Sequence, residues 1–261
     1  MTAELPNIAF PFVDQYTGLR MEVDLRALTP GHVTVVESSR RLRREQSYGF
    51  IHALWWVWLS NGLSAASVPP GAGDAVARIL KDVRCAEQVL DPSIAERLKV
   101  PVNLALEKAG LRGVDRVLSD VCFACNALLL RRHTCGDCRR LTDEGVPPAE
   151  GLKLPTHCFP EGIAYGVVAG GVVASIAYAH RTGVMGNRVA DLAVETAPAY
   201  RRRGYAKTAV SAVVEHLTRT GGEARYGCRP DNHASVATAR SVGFIPYGTS
   251  LILSAPAPDL K

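Results

Sequence analysis

The second half of the chain alternates short apolar runs with polar turns, a pattern typical of strands and helices in one α/β domain. Residues 163–169 and 172–180 are β-branched runs joined by Gly170-Gly171. Two glycines at this spacing tolerate positive φ at both turn positions, which predicts a β-hairpin. Residues 189–194 predict a third strand that runs into a basic, glycine-containing turn.

Apolar residues then recur every three or four positions between residues 205 and 219, which predicts an amphipathic helix that ends at Gly221-Gly222. The pattern next predicts a strand at 224–229, a helix at 234–242 and a last strand at 247–254. The predicted order after residue 150 is three strands, a helix, a strand, a helix and a strand.

Before residue 150 the apolar positions follow a helical pattern. Residues 46–60 are apolar and aromatic, residues 71–97 repeat apolar side chains at helical spacing, and prolines and glycines separate the two segments. Prolines and glycines at 145–151 indicate a linker. We therefore expect a mainly helical N-terminal region, residues 1–150, followed by a second domain, residues 151–261.

Composition places the chain among ordinary folded proteins. It has 261 residues, of which 47% are hydrophobic and 21% charged, and these values exclude a disordered or fibrous chain. No apolar run reaches the roughly 18 residues of a membrane span, and the start lacks the pattern of a secretory leader, so we expect a cytoplasmic protein. The net charge of +5 suits a polyanionic ligand without choosing between CoA, nucleotides and nucleic acid.

The most informative motif is the turn Arg201-Arg-Arg-Gly-Tyr-Ala206 between a predicted strand and a predicted helix. The first N–H groups of a helix are unpaired and carry its positive dipole end, so such a turn favours phosphate oxygens. Gly204 lets the backbone approach the ligand, and the arginines add charged donors. By itself the motif is a weak signal, because a solvated basic helix start is its more frequent explanation.

Residues 191–206, together with Asn232-His-Ala-Ser235 and Gly243-Phe244, resemble the acyl-CoA-binding signature of the GNAT acetyltransferase superfamily. The resemblance covers about residues 155–254. It implies an α/β GNAT-like fold, with a mixed central sheet flanked by helices. It also implies transfer of an acetyl group from acetyl-CoA to an amine of a small molecule or peptide, by direct attack in a ternary complex.

The resemblance assigns roles to individual residues. Backbone groups of Leu192, Ala193 and Val194 would pair with the pantetheine arm, and the amide of Val194 would polarise the thioester carbonyl. Asn232 and Ser235 would contact the cofactor from the following helix. Backbone amides of the turn would hold the pyrophosphate, and Arg202 and Arg203 could reach the 3′-phosphate. The residues of the turn are Arg201, Arg202, Arg203, Gly204, Tyr205, Ala206 and Lys207.

Proton transfer is where the sequence departs from the family pattern. Many members place a tyrosine four residues after the position of Ser235, but this chain has Ala239 there. The proton for the leaving thiolate would then come from Tyr247, Cys228 or a bound water, or the thiolate would leave without an acid. Glu195 is the candidate base, with an exposed loop carboxylate as its alternative reading, and Asp191 is a weaker rival.

Four cysteines form two C-x-x-C pairs with the spacing C-x2-C-x9-C-x2-C: Cys122, Cys125, Cys135 and Cys138. In a cytosolic chain this spacing favours a structural Zn²⁺ held by four thiolates over disulfides. Free, partly buried thiols are the alternative, and His133 could replace one ligand.

Two other functions stay open at this stage. The missing tyrosine allows a non-enzymatic acyl-CoA sensor. The cysteines and the basic run Arg40-Arg-Leu-Arg-Arg44 allow a zinc-containing nucleic-acid-binding module with an appended GNAT fold, although such a run is usually a solvated helix face. Trp55, Trp56 and Trp58 fit either a core or the wall of an acceptor pocket. The sequence favours an amine acceptor over nucleic acid and indicates no membrane partner.

Overall fold

The computed structural model describes residues 9–45, 49–142, 145–154, 163–181, 185 and 188–258. Its longer helices and its strands follow one another along the chain as α1 (Pro11–Met21), β1 (Val33–Glu37), β2 (Phe50–Leu59), β3 (Ser64–Val68), α2 (Gly73–Leu80), α3 (Pro92–Lys108), β4 (Arg116–Cys125), β5 (Asp137–Arg140), β6 (Ile163–Ala169), β7 (Val172–Arg181), β8 (Val189–Thr196), α4 (Tyr205–Arg219), β9 (Glu223–Cys228), α5 (His233–Val242) and β10 (Ile245–Pro256).

The chain divides into two compact units. The first takes in the chain up to Tyr16 together with Ala124–Arg225, and the second takes in Thr17–Phe123 together with the chain from Tyr226 onward. This division does not fall at residue 150, where the sequence indicates a linker. The reason is long-range strand pairing, because residues 248–256 of β10 pair antiparallel with β2 and so join the C-terminal strand to the N-terminal half.

The first unit contains an antiparallel sheet in the order β8-β7-β6-β5. Gly170 and Gly171 form the β6–β7 turn with φ of 61° and 78°, as the sequence predicts. Helix α4 packs on β6, β7 and β8 through a buried apolar stripe, which comprises Ala209, Val210, Val213, Val214 and Leu217. A smaller apolar cluster, which includes Leu152 and Ile176, packs residues 149–154 against strands β6 and β7 of the same unit.

The second unit contains a sheet in the order β1-β3-β2-β10-β4, with β1 and β3 parallel and β2 antiparallel to both its neighbours. Helices α2 and α3 pack on it around a large apolar core that includes Trp56, Leu98 and Leu251. Helix α5 also belongs to this unit.

The expectation of a mainly helical N-terminal region is wrong in part. Residues 50–59, predicted as helix, form strand β2, and β1, β3 and β4 add further strands. Nine of the ten residues of β2 are buried, so its side chains show no apolar-polar alternation. A continuous apolar run of this kind cannot be distinguished from a buried helix by periodicity alone. The predicted helical segment 71–97 is divided, because Asp91 caps a new helix that begins at Pro92.

The basic run at residues 40–44 is not a continuous solvated face. Arg41 is fully buried in the second unit, where its Nε donates to Ser67 Oγ at 2.9 Å and its Nη1 to the carbonyl of His52 at 3.3 Å. Its Nη2 donates to the carbonyl of Arg20. Arg20 in turn pairs with Glu45, with Nη1 and Oε2 2.7 Å apart. The run therefore contributes to the interior of the fold.

No helix within the described parts of the chain is long and apolar enough to span a membrane.

The histidine at this buried cluster makes stability depend on pH. Burial, with smaller contributions from Arg20 and Arg41, lowers the pKa of His52 from 6.5 to about 4. The unfolded chain therefore binds an additional proton between those values, so the free energy of unfolding falls as pH drops from 6.5 towards 4. We expect wild type to lose up to about 3 kcal/mol over this window and His52→Gln to lose less.

Urea unfolding at several pH values between 7 and 4 measures this difference. His233→Gln, at an exposed histidine, should follow the wild-type pH dependence. Equal slopes for wild type and His52→Gln would contradict the prediction.

Candidate functional site

The turn that leads from β8 into α4 has an unusual backbone. Arg202 and Gly204 have φ of 62° and 83°, in the left-handed region. This region is uncommon for a residue with a side chain and free of steric cost for glycine. Left-handed residues in a turn direct successive N–H groups into one concave, anion-binding surface.

The first turn of α4 is left without a side-chain cap. Gly204 is its N-cap residue, no side chain accepts from the helix start, and the first turn contains no acidic residue. The first backbone hydrogen bond runs from Thr208 N to the carbonyl of Gly204, at 3.2 Å. The N–H groups of Tyr205, Ala206 and Lys207 therefore have no acceptor within the helix, as the geometry of any helix start requires.

The three arginines of the turn are exposed, and two of them are held against it. Arg201 Nε donates to the carbonyl of Thr196 at 3.4 Å, and Arg203 Nη2 donates to the carbonyl of Ala199 at 3.1 Å. The Arg203 guanidinium also lies over the Tyr200 ring, 5.3 Å from its centroid. These contacts keep positive charge beside the unpaired N–H groups, which favours a phosphate ligand.

Strand β8 presents alternate backbone amides at its two edges. Ala197 N donates to the carbonyl of Ala174 at 3.0 Å on the side of β7, and the β7–β8 register is uninterrupted. Because hydrogen-bonded and non-hydrogen-bonded pairs alternate in an antiparallel ladder, the amides of Glu195 and Ala193 also face β7. Those of Val194 and Leu192 face the other edge. Of the three residues predicted to pair with a pantetheine arm, Ala193 therefore has its backbone groups on the wrong edge.

The two carboxylates of β8 differ in their surroundings. Asp191 is held by Arg225, with Oδ1 and Nη1 2.9 Å apart, and accepts from the Tyr16 hydroxyl at 3.1 Å. Glu195 is exposed, and no hydrogen bond or ion pair of its carboxylate is found within the described residues. Glu195 is thus available for proton transfer, whereas Asp191 holds the N-terminal helix and β9 on β8.

The predicted site residues of the second unit have structural partners. Asn232 Oδ1 caps α5 by accepting from Ser235 N at 3.2 Å. The Ser235 side chain hydrogen-bonds the Tyr226 hydroxyl. Tyr247 is buried on β10, with its hydroxyl 3.3 Å from Thr17 Oγ1, and Ala239 is fully buried on α5.

The structure does not gather the four cysteines around a metal. Cys122 and Cys125 lie three residues apart on the extended strand β4, so their side chains point to opposite faces. Burial raises the pKa of Cys125 to about 12, and burial with Asp137 raises that of Cys138 to about 11. In the described parts of the chain no group of three or more His, Cys, Asp or Glu could hold a metal ion. The predicted four-thiolate zinc site is therefore not formed there.

The third cysteine of the motif, Cys135, lies instead at residues 201–207, the turn between β8 and α4 that we name the phosphate turn. The Cys135 thiol donates to the carbonyl of Arg203, with Sγ and O 3.2 Å apart. No local sequence pattern signals this contact, because the two residues are far apart in the chain.

Each unit contains a cavity of moderate size. In the first unit a polar cavity of about 360 Å³ is lined by residues that include His133, Tyr165 and His216. In the second unit an apolar cavity of about 370 Å³ is lined by residues that include Trp58 and Arg240. Trp56 and Trp58 both belong to the apolar core of the second unit, and Trp58 also borders this cavity.

Comparison with known proteins agrees with this geometry. Residues 139–244 match the model of the Acetyltransferase (GNAT) family. This segment belongs to that family, and the chain accordingly carries a GNAT acetyltransferase domain, the domain of an acetyl-transferring enzyme. A search of the curated proteins found no match.

Solved structures show similar chains at low identity. An acetyltransferase assigned to the GNAT family from Novosphingobium aromaticivorans DSM 12444 is 20% identical with a TM-score of 0.46, over 56% of this chain and 67% of that one. A GNAT-family acetyltransferase from Colwellia psychrerythraea is 14% identical with a TM-score of 0.43, over 54% and 57%. A GCN5-related N-acetyltransferase from Kribbella flavida is 16% identical with a TM-score of 0.40, over 65% and 78%.

The cysteine geometry makes a direct prediction. Cys85 and Cys135 are exposed and should react first with a thiol reagent under native conditions, whereas the buried Cys122, Cys125 and Cys228 should react slowly. Chelator should leave the melting temperature unchanged, because the residues that the structure describes form no zinc site to empty. Mass spectrometry of partially alkylated protein and elemental analysis measure both. One Zn²⁺ per chain that protects Cys135 from alkylation would contradict the prediction.

Proposed function

We propose that the protein transfers an acetyl group from acetyl-CoA to an amine of a small molecule or peptide. The proposal is supported by residues 201–207, where left-handed residues, an uncapped helix start and exposed arginines together suit phosphate oxygens. The family match over residues 139–244 includes this turn. Acetyl-CoA supplies a pyrophosphate of the charge and size that such a turn holds.

Strand β8 supplies the rest of the cofactor site in the first unit. The amides of Leu192 and Val194, on the edge of β8 that faces β9, are proposed to hydrogen-bond the pantetheine arm and the thioester carbonyl, as an added strand would. A donor on that carbonyl stabilises the negative charge that develops when the amine attacks. Three further roles rest on the family resemblance alone. Asn232 and Ser235 are proposed to contact the cofactor, and Tyr247 is proposed as an acid.

Glu195 is proposed as the base. An amine is protonated near neutral pH and cannot attack until it loses a proton. The Glu195 carboxylate is exposed and follows directly from Val194, so it can accept that proton through a water molecule. The amine nitrogen then bonds to the acetyl carbon, the carbon–sulfur bond breaks, and CoA leaves as a thiolate. The second proton lost by the nitrogen passes to that thiolate or to solvent.

Two observations weigh against a nucleic-acid-binding module. Arg41 is buried within the basic run, and the four cysteines do not form the zinc site that such a module needs. The acyl-CoA sensor is distinguished by experiment, because a sensor binds acetyl-CoA without releasing CoA when amines are offered.

Gly204→Glu tests the cofactor turn. The added carboxylate places like charge against the pyrophosphate, and we expect acetyl-CoA to bind roughly 100-fold more weakly or worse. Isothermal titration measures the affinity, and circular dichroism checks the fold. Gly221→Glu is the matched control, since Gly221 has a similar φ of 75° in open space at the other end of α4. Unchanged affinity in folded Gly204→Glu would refute a phosphate-binding turn.

Glu195→Gln tests the base. We expect kcat/KM for the amine to fall ~100-fold with acetyl-CoA affinity nearly unchanged, because only proton transfer is lost. Release of the CoA thiol across a panel of amines and peptides measures the rate. Glu96→Gln, on the exposed surface of α3, should match wild type. A loss below about threefold would leave Glu195 as a surface carboxylate.

A further inference from the structure

The loop before β5 is fastened along α4 within the first unit. Residues 133–136, which we name the strap, bond to two hydroxyls of the helix. His133 N donates to Ser211 Oγ at 3.2 Å, and that hydroxyl lies 3.3 Å from the carbonyl of His133. Cys135 N donates to Thr208 Oγ1 at 3.1 Å. Thr208 and Ser211 are buried, so the strap supplies partners for polar groups on the inner face of the helix.

The strap also reaches the phosphate turn itself. The Cys135 thiol donates to the carbonyl oxygen of Arg203 at 3.2 Å. A trans peptide is planar, with its carbonyl and its N–H pointing in opposite directions. Holding the Arg203 carbonyl towards the strap therefore turns the N–H of Gly204 away from the strap and towards the open side of the turn.

The strap has little freedom to move at this point. Gly136 has φ of 78°, and a Cβ there would lie 3.0 Å from Val167 Cγ1 and 3.5 Å from the Tyr205 ring. Glycine therefore lets the strap pack directly between β6 and the first residue of α4. The thiol of Cys135 is held over the turn by this packing and by the bond to Thr208, before any ligand binds.

We propose that Cys135 is a positioning residue for pyrophosphate binding, which it serves by fixing the Arg203–Gly204 peptide with the Gly204 N–H directed at the ligand. This inference rests on the proposed function, since the ligand is the pyrophosphate of acetyl-CoA. A turn with Arg202 in the left-handed region is costly to hold, and the bond from the strap offsets part of that cost. Affinity then depends on a side chain that does not touch the cofactor.

Cys135→Ala tests the proposal by comparing two acetyl donors. Acetyl-CoA carries the pyrophosphate and acetyl-pantetheine does not. We expect Cys135→Ala to weaken acetyl-CoA binding about threefold, because a thiol is a weak donor and one hydrogen bond at the turn is lost, while kcat/KM with acetyl-pantetheine stays within about 1.5-fold of wild type. Cys135→Ser, whose hydroxyl can still donate, should restore most of the acetyl-CoA affinity. Cys85→Ala is the control, because its thiol is also exposed and bonds to Gln88, in the second unit.

The outcomes separate this inference from the proposed function. If wild type fails to bind acetyl-CoA, the proposed function and the positioning role both fall. If wild type binds but Cys135→Ala binds equally well, only the positioning role falls. Equal losses with both donors, or a serine variant no better than alanine, would show a general structural role and would also overturn the proposal.

Discussion

A helix cannot satisfy the first N–H groups of its own backbone, and the proposed chemistry depends on how this protein treats that deficit at the start of α4. A serine or aspartate N-cap would satisfy it internally. Gly204 cannot, and no acidic residue of the first turn does so either. The unpaired donors remain available to a ligand, and the buried apolar stripe of α4 fixes their position relative to β8.

The parts of the fold that could be predicted from the sequence are those that depend on local signals. Helix α4 forms at the predicted residues 205–219 and the hairpin at Gly170-Gly171, because amphipathic period and turn chemistry are local signals. Strand β2 could not be recognised, because burial on both faces removes the alternation that marks a strand. The pairing of β10 with β2 is invisible for a different reason, since no local pattern specifies a partner about 200 residues away.

The candidate site divides in the same way. The phosphate turn is readable from Arg201 to Ala206 because its chemistry lies within one short segment. The edge of β8 that carries each amide depends on the pairing with β7, so the sequence alone could not exclude Ala193. The cysteine spacing wrongly predicted a zinc site. A C-x-x-C pair binds a metal from a tight turn, but Cys122 and Cys125 lie on an extended strand. Cys135 reaches the turn only through the tertiary packing of the strap.

With Ala239 at the position where many GNAT proteins have a tyrosine, the proposed reaction has no tyrosine acid there for the leaving thiolate, so its main requirement is a base for the amine. An ordinary thiol has a pKa of about 8.5, and a thiolate of this low basicity can leave without being protonated by an acid. Burial, with Asp120 and Cys122, raises the pKa of Cys228 to about 11, so proton transfer from Cys228 to that thiolate would be uphill. Removing a proton from the ammonium is the step that still needs a protein group. Because Asp191 is committed to Arg225 and Tyr16, the proposed mechanism assigns that step to Glu195, and it predicts that protonation of the amine limits the rate.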